Sequence, residues 1–102
     1  MQGSIKDALG KIKGIRNAFI YGSFAKDEAS VSSDIDLFII GRIDENKLIR
    51  EIGELEKILQ REINYNLYSK EEFYEKRKAK DSFILDLLEK PKMFLIGEKN
   101  DL

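Results

Sequence analysis

The sequence predicts an α/β (α+β) fold, a mixed β-sheet with helices packed mainly on one face. Three observations carry that reading. Ile15 to Tyr21 holds Ala18, Phe19 and Ile20 in succession, as a buried central strand does and an edge strand does not. Leu48, Ile52, Leu55 and Leu59 recur at helical spacing, which makes the segment between two strand-like runs a long amphipathic helix. The elements follow one another as α-β-α-β-α-β-α-α-β, an order that builds a sheet with covering helices. With 102 residues and no linker or internal repeat, the expectation is one domain over residues 1–102.

The elements are justified in turn. Ser4 is a helix cap, with Ile5, Ala8, Leu9 and Ile12 on one face, and Gly10 and Gly14 end that helix. The strand from Ile15 to Tyr21 breaks at Gly22-Ser23, and Phe24 to Asp27 is expected to form a short helical turn. After a polar loop over residues 27–33, Asp34 to Ile40 is the second strand, closed by Gly41. The long helix runs from about Asp44 to Gln60, and Glu62 to Tyr68 is the third strand. Ser69 with Glu72 forms a capping box for a helix from about Lys70 to Ala79. A further helix spans about Ser82 to Glu89, because Pro91 drives Lys90 out of the helical region. Met93 to Ile96 is a last short strand, stopped by Gly97.

Composition removes several function classes. The chain has no Cys and no His, hence no thiolate nucleophile, no imidazole base and no soft-metal site. Any metal is therefore a hard cation bound through oxygen, Mg²⁺ first and Mn²⁺ next. The net charge of -1 argues against a nucleic-acid-binding field. No leader-like or membrane-spanning apolar run is present, so no membrane partner and a cytoplasmic location are expected.

Chemistry concentrates in one stretch. Asp34 and Asp36 lie two apart on a strand, so their carboxylates share a face while Ile35 and Leu37 face the core. Two such carboxylates repel unless a cation lies between them. That cation can also bind triphosphate oxygens and neutralise a leaving pyrophosphate. Gly22 lets the backbone approach a phosphate, Ser23 adds a hydroxyl, and Lys26 can supply a point charge. Taken singly, an Asp-x-Asp pair is commonly a solvated strand and Gly-Ser is ordinary turn chemistry. Their order and spacing make the stronger signal.

Gly22-Ser23-Phe24-Ala25 followed by Ser33-Asp34-Ile35-Asp36-Leu37 resembles the signature of the nucleotidyltransferase superfamily typified by DNA polymerase beta, in particular its minimal, archaeal-type branch. The resemblance is strongest over residues 15–41. It extends more loosely through residues 61–69 and 90–97. It implies that Gly22 and Ser23 hold the β- and γ-phosphates of a nucleoside triphosphate such as ATP, and that Asp34 and Asp36 ligate two Mg²⁺ ions. An acceptor hydroxyl would attack the α-phosphate and release pyrophosphate. The resemblance further implies an antitoxin-like protein whose partner is a helical HEPN-domain protein that supplies the acceptor.

Two departures from the family pattern stand out. Lys26-Asp27 replaces the usual Arg-Gly, and a lysine lacks the bidentate fork of arginine. The third carboxylate expected on a neighbouring strand is missing from Ile63-Asn64-Tyr65-Asn66-Leu67. Counting back from the next helix matches Asn66 to that position; Asn64 shares its face and is the alternative. An amide can ligate through oxygen but brings no charge and is no base. The competing reading is thus a catalytically weakened regulator that binds nucleotide or partner.

The remaining features have plain readings. Tyr21, Tyr65 and Tyr68 can stack on a base but more often pack at a core edge. Lys76-Arg77-Lys78-Ala79-Lys80 shares its helix with Glu71, Glu72 and Glu75, so a solvated face outweighs a nucleic-acid contact. Phe83, Ile84, Leu87 and Leu88 either cover the sheet or make a homo-oligomer contact.

Overall fold

Apolar continuity places the strand Ile15–Tyr21 (β1) in the middle of a sheet rather than at its edge. The computed structural model, which describes residues 2–22 and 34–102, bears this out. Four strands line up in the order β3-β2-β1-β4, with β2 at Ile35–Gly41, β3 at Ile63–Tyr68 and β4 at Lys92–Ile96. β1 pairs antiparallel with both β2 and β4, whereas β2 and β3 run parallel. A parallel pair requires a crossover. The amphipathic segment Glu45–Leu59 (α2) supplies it, with Leu48, Ile52 and Leu55 buried.

Local chemistry sets the helix ends. The Asp44 side chain accepts from the Asn46 N–H at the start of α2. Gln60 closes the helix in the left-handed region at φ 55°, with its N–H bonded to the Glu56 carbonyl. Ser69 and Glu72 form the expected capping box at the start of Lys70–Lys78 (α3). The next helix spans Ser82–Glu89 (α4), and Asp81 accepts from the Ile84 N–H. The first helix spans Gln2–Gly10 (α1), so Ser4 lies inside it rather than capping it. A 3-10 turn at Lys99–Asp101 follows β4. The expected helical turn at 24–27 lies outside the described residues.

The mixed α/β class is the one the sequence predicts, but the helices are divided between the faces rather than gathered mainly on one. On one face, Ile5, Leu9, Leu48, Ile52 and Leu55 from α1 and α2 pack against Ala18, Ile20, Ile35, Leu37 and Ile39. On the other, Phe73 from α3 and Ile84 and Leu87 from α4 cover Phe19, Tyr21, Phe38 and Ile40. The physical reason is that the central strands are apolar on both sides, and each side has to be covered. The second core is aromatic. Phe38 stacks on Phe19 with centroids 5.3 Å apart and on Tyr68 at 5.2 Å, and meets Phe73 edge-on at 5.9 Å. Each such pair adds about 0.5–1.5 kcal/mol beyond its buried area.

Candidate active site

One residue from each strand forms a row across the sheet. Asn64 on β3 is the register partner of Asp36 on β2, Asp36 of Tyr21 on β1, and Tyr21 of Lys92 on β4. Directly paired residues point to the same face, here the one covered by α3 and α4. The next row inward, Asn66, Phe38, Phe19 and Phe94, begins the aromatic core. The polar row is therefore the rim of that core.

Alternation along β2 places Asp34, just ahead of the strand, and Asp36 on this rim, with Asp34 exposed and Asp36 half-buried. Asn64 donates its side-chain amide to Asp34 Oδ2 at 3.4 Å. Asn66 is engaged elsewhere, donating to the Tyr21 hydroxyl at 3.2 Å. Of the two asparagines, Asn64 is the one in contact with the carboxylate pair, and Asn66 stands one pleat inward. Burial, and next the negative charge of Asp36, push the Tyr21 phenol above its ordinary value of 10.0, against the opposing bond from Asn66. Tyr21 therefore stays protonated at neutral pH, and its hydroxyl accepts from Asn66 at the rim.

Gly22 follows β1 with φ +84°, a conformation side-chain-bearing residues rarely adopt. A Cβ there would meet Asp36 Oδ2 at 3.7 Å, an ordinary contact, so backbone conformation and not space demands glycine. The same geometry brings the Gly22 backbone close to the Asp36 carboxylate. Its N–H donates to the Pro91 carbonyl at 3.3 Å, which ties the turn to the start of β4. Ser23 and Lys26 lie outside the described residues.

Among the described residues no group of three or more His, Cys, Asp or Glu side chains could hold a metal ion. Two carboxylates from alternate positions, with the side-chain amide of Asn64 donating to one of them, still make an oxygen-only donor set. That set fits a hard divalent cation completed by phosphate oxygens and water, and it is one charge short of a three-carboxylate centre.

The tyrosines considered for base stacking have other roles. Tyr65 donates its hydroxyl to Glu45 Oε2 at 2.7 Å, on the face opposite the site. Tyr68 is taken by Phe38. A concavity of about 810 Å³ opens beyond the far end of β2, bordered by Lys13, Arg42, Asp44 and Glu72, and contains none of the site residues. Sequence reasoning missed Tyr21 as the rim hydroxyl that accepts from Asn66, and Lys92 as its neighbour. The only available signal was Tyr21 being two residues after Phe19, which gives them a common face.

Comparisons with known proteins agree with this fold. The model of the nucleotidyltransferase domain family matches residues 3–86. No curated protein matches. Among solved structures, a chain of a mutant MntA–HpeT toxin–antitoxin complex is similar with a TM-score of 0.67 at 13% identity, covering 99% of this chain and 77% of that one. A chain of a toxin–antitoxin complex with AMP-PNP also gives 0.67, at 17% identity, covering 98% and 76%. A chain from the complex of a tri-AMPylated Shewanella oneidensis HEPN toxin with MNT antitoxin gives 0.54, at 17% identity, covering 99% and 76%. At these identities the likeness is one of fold.

Proposed function

Because this chain belongs to the nucleotidyltransferase domain family, we propose that it transfers a nucleoside monophosphate from a nucleoside triphosphate to an acceptor hydroxyl on a partner protein. The observation that carries this reading is the placement of Asp34 and Asp36 on one rim, with the backbone of Gly22 against Asp36. Asp34 and Asp36 would hold Mg²⁺ or Mn²⁺, and Gly22, Ser23 and Lys26 would hold the phosphates. A divalent cation, when bound, neutralises charge on the phosphates and the leaving group. The acceptor oxygen bonds to the α-phosphorus as the bond to pyrophosphate breaks, and the hydroxyl proton passes to a carboxylate or to water.

The likeness to chains of toxin–antitoxin complexes, one of them of a HEPN toxin with MNT antitoxin, supports an antitoxin-like role with a helical HEPN-type partner that carries the acceptor. No helix among the described residues is long and apolar enough to cross a membrane, and we place the protein in the cytoplasm.

A second reading is favoured by one observation. The side chain touching Asp34 from β3 is the neutral amide of Asn64, where an active centre would gain a third charge and a base. Under this reading the protein binds nucleotide or partner and turns over slowly, as a regulator. The deciding experiment incubates the protein with α-labelled ATP, CTP, GTP and UTP in turn, with Mg²⁺ or Mn²⁺, and with cell extract. Label reaching a macromolecule only when Asp34 and Asp36 are intact supports the transferase. Metal-dependent nucleotide binding without transfer supports the regulator.

A further inference from the structure

The polar row does not end at Tyr21. Its β4 member, Lys92, opens onto a concavity of about 450 Å³ at the corner between α4 and β4, lined by Lys90, Lys92, Lys99 and Glu89 together with Leu88, Pro91 and Phe94. The three ammonium groups are not equivalent. Lys90 pairs with Asp86 at 3.2 Å and lies 6.0 Å from the centre of the Tyr21 ring. Lys92 donates to the Leu88 carbonyl at 2.6 Å and the Lys90 carbonyl at 2.9 Å, so the last carbonyls of α4 aim it. Those two bonds use two of its three donors. Lys99 lies close enough for its positive charge to act on Lys92.

We propose that this corner is a binding site for the oxyanions of a phosphoanhydride, with Lys92 and Lys99 as its ligands. The two ammonium groups line a shared concavity, neither is in an ion pair with a carboxylate among the described residues, and the third donor of Lys92 is left for a ligand. Burial, and then the charge of Lys99, pull the Lys92 ammonium below its ordinary value. An anion is the partner that would relieve both effects.

The position suits a phosphate chain. Lys92 stands two strand spacings from Asp36, roughly 10 Å, with the Gly22 turn between them and bonded to Pro91. A triphosphate whose reacting end lies at Asp36 would direct its tail along this line, and pyrophosphate would leave by it. This inference rests on the transferase reading only for its biological use; the binding itself needs no metal and no turnover. The shared chemistry is the phosphoanhydride oxyanion, and its source is either the tail of the bound nucleotide or the released pyrophosphate.

The test is a calorimetric titration of the whole chain with inorganic pyrophosphate in the presence of a chelator. Wild-type protein should bind, and Lys99→Gln should weaken binding about tenfold, the loss of one charge-assisted contact. Lys99 is exposed and leaves the carbonyl contacts of Lys92 untouched, so the variant should fold as wild type does, which circular dichroism checks. Asp36→Asn should still bind pyrophosphate even if it abolishes transfer, which separates failure of this site from failure of the transferase reading. In transfer assays, a higher KM for nucleotide in Lys99→Gln assigns the site to the tail. Weaker inhibition by pyrophosphate at unchanged KM assigns it to the product. No binding by wild type, or equal binding by wild type, Lys99→Gln and Lys92→Gln, overturns the proposal.

Discussion

Asn64 donates its side-chain amide to Asp34 at 3.4 Å across the parallel β2–β3 pair, while its own register partner is Asp36. A single neutral side chain thus borders both carboxylates of the candidate centre. Much of what this protein can do turns on that neutrality, because a carboxylate in the same place would add both a charge and a base.

Replacing the amide by the acid tests this directly. Asn64→Asp should increase metal-dependent transfer and tighten Mg²⁺ binding, by tenfold or more if a second cation is recruited, on the order of 1.4 kcal/mol. Asn66→Asp should not do so, because Asn66 serves the Tyr21 hydroxyl. Parallel transfer assays and Mg²⁺ titrations of the two variants decide which asparagine occupies the third position. A gain in Asn66→Asp alone would move the site one pleat inward.

Asp36→Asn and Asp34→Asn should each abolish metal-dependent transfer while leaving the melting temperature within a few degrees of wild type. Both side chains are on the rim, and removing one of two adjacent negative charges relieves repulsion in the metal-free protein. Chelation should mimic the variants. Transfer that persists in both would refute the assignment of the centre.

Gly22→Ala should destabilise the fold by about 1–2 kcal/mol, the cost of placing an L-residue at this positive φ. Denaturant unfolding measures the cost. Nucleotide affinity should fall further than stability alone explains, because the turn that faces Asp36 has to shift. An alanine variant with wild-type stability would mean that the turn adopts a different conformation in solution.

Two phenols set a pH dependence at the alkaline end. Tyr21 is raised above 10.0 by burial and by Asp36; Tyr65 is raised by its hydrogen bond to Glu45 and by burial. A raised folded value means that the native state holds its proton longer than the unfolded chain does. The associated stability is complete below about pH 10 and is lost as the pH rises through the folded values. Tyr21→Phe and Tyr65→Phe should each flatten that loss in unfolding curves between pH 9 and 12. At neutral pH, Tyr21→Phe should also cost about 1 kcal/mol for the bond from Asn66.

Truncating Phe38 to alanine should cost about 3–5 kcal/mol. It is fully buried and stacks between Phe19 and Tyr68. Thermal unfolding checks this, and a cost near 1 kcal/mol would mean that the aromatic core refills the space.

The elements that local chemistry dictates were legible in the sequence. β1 and α4 have the expected limits, and the Ser69–Glu72 capping box is present. All three are decided by neighbours in the chain. The side of the sheet that α3 and α4 cover was not legible. Phe73, Ile84 and Leu87 are apolar on short helices, and nothing local says which face of a two-sided sheet they meet. The same limit applied within the site. That Asp34 and Asp36 share a face follows from the two-residue period of a strand. That Asn64 rather than Asn66 reaches Asp34 depends on the β2–β3 register, a pairing between segments far apart in the chain. Tyr21 became a neighbour of the centre only through the pairing of β1 with β2, and Lys92 only through that of β1 with β4.

The row Asn64, Asp36, Tyr21 and Lys92 draws one side chain from every strand of the sheet. Such a row cannot survive the opening of any single strand, so a ligand that spans it protects the whole sheet at once. A compound present at a hundred times its dissociation constant would add about 2.7 kcal/mol to global stability. Melting-temperature screens of nucleotides, cations and phosphoanions are therefore a direct way to find what this rim recognises, even where no turnover is seen. Amide exchange in β4, at the edge of the sheet, should slow with the same ligands that raise the melting point.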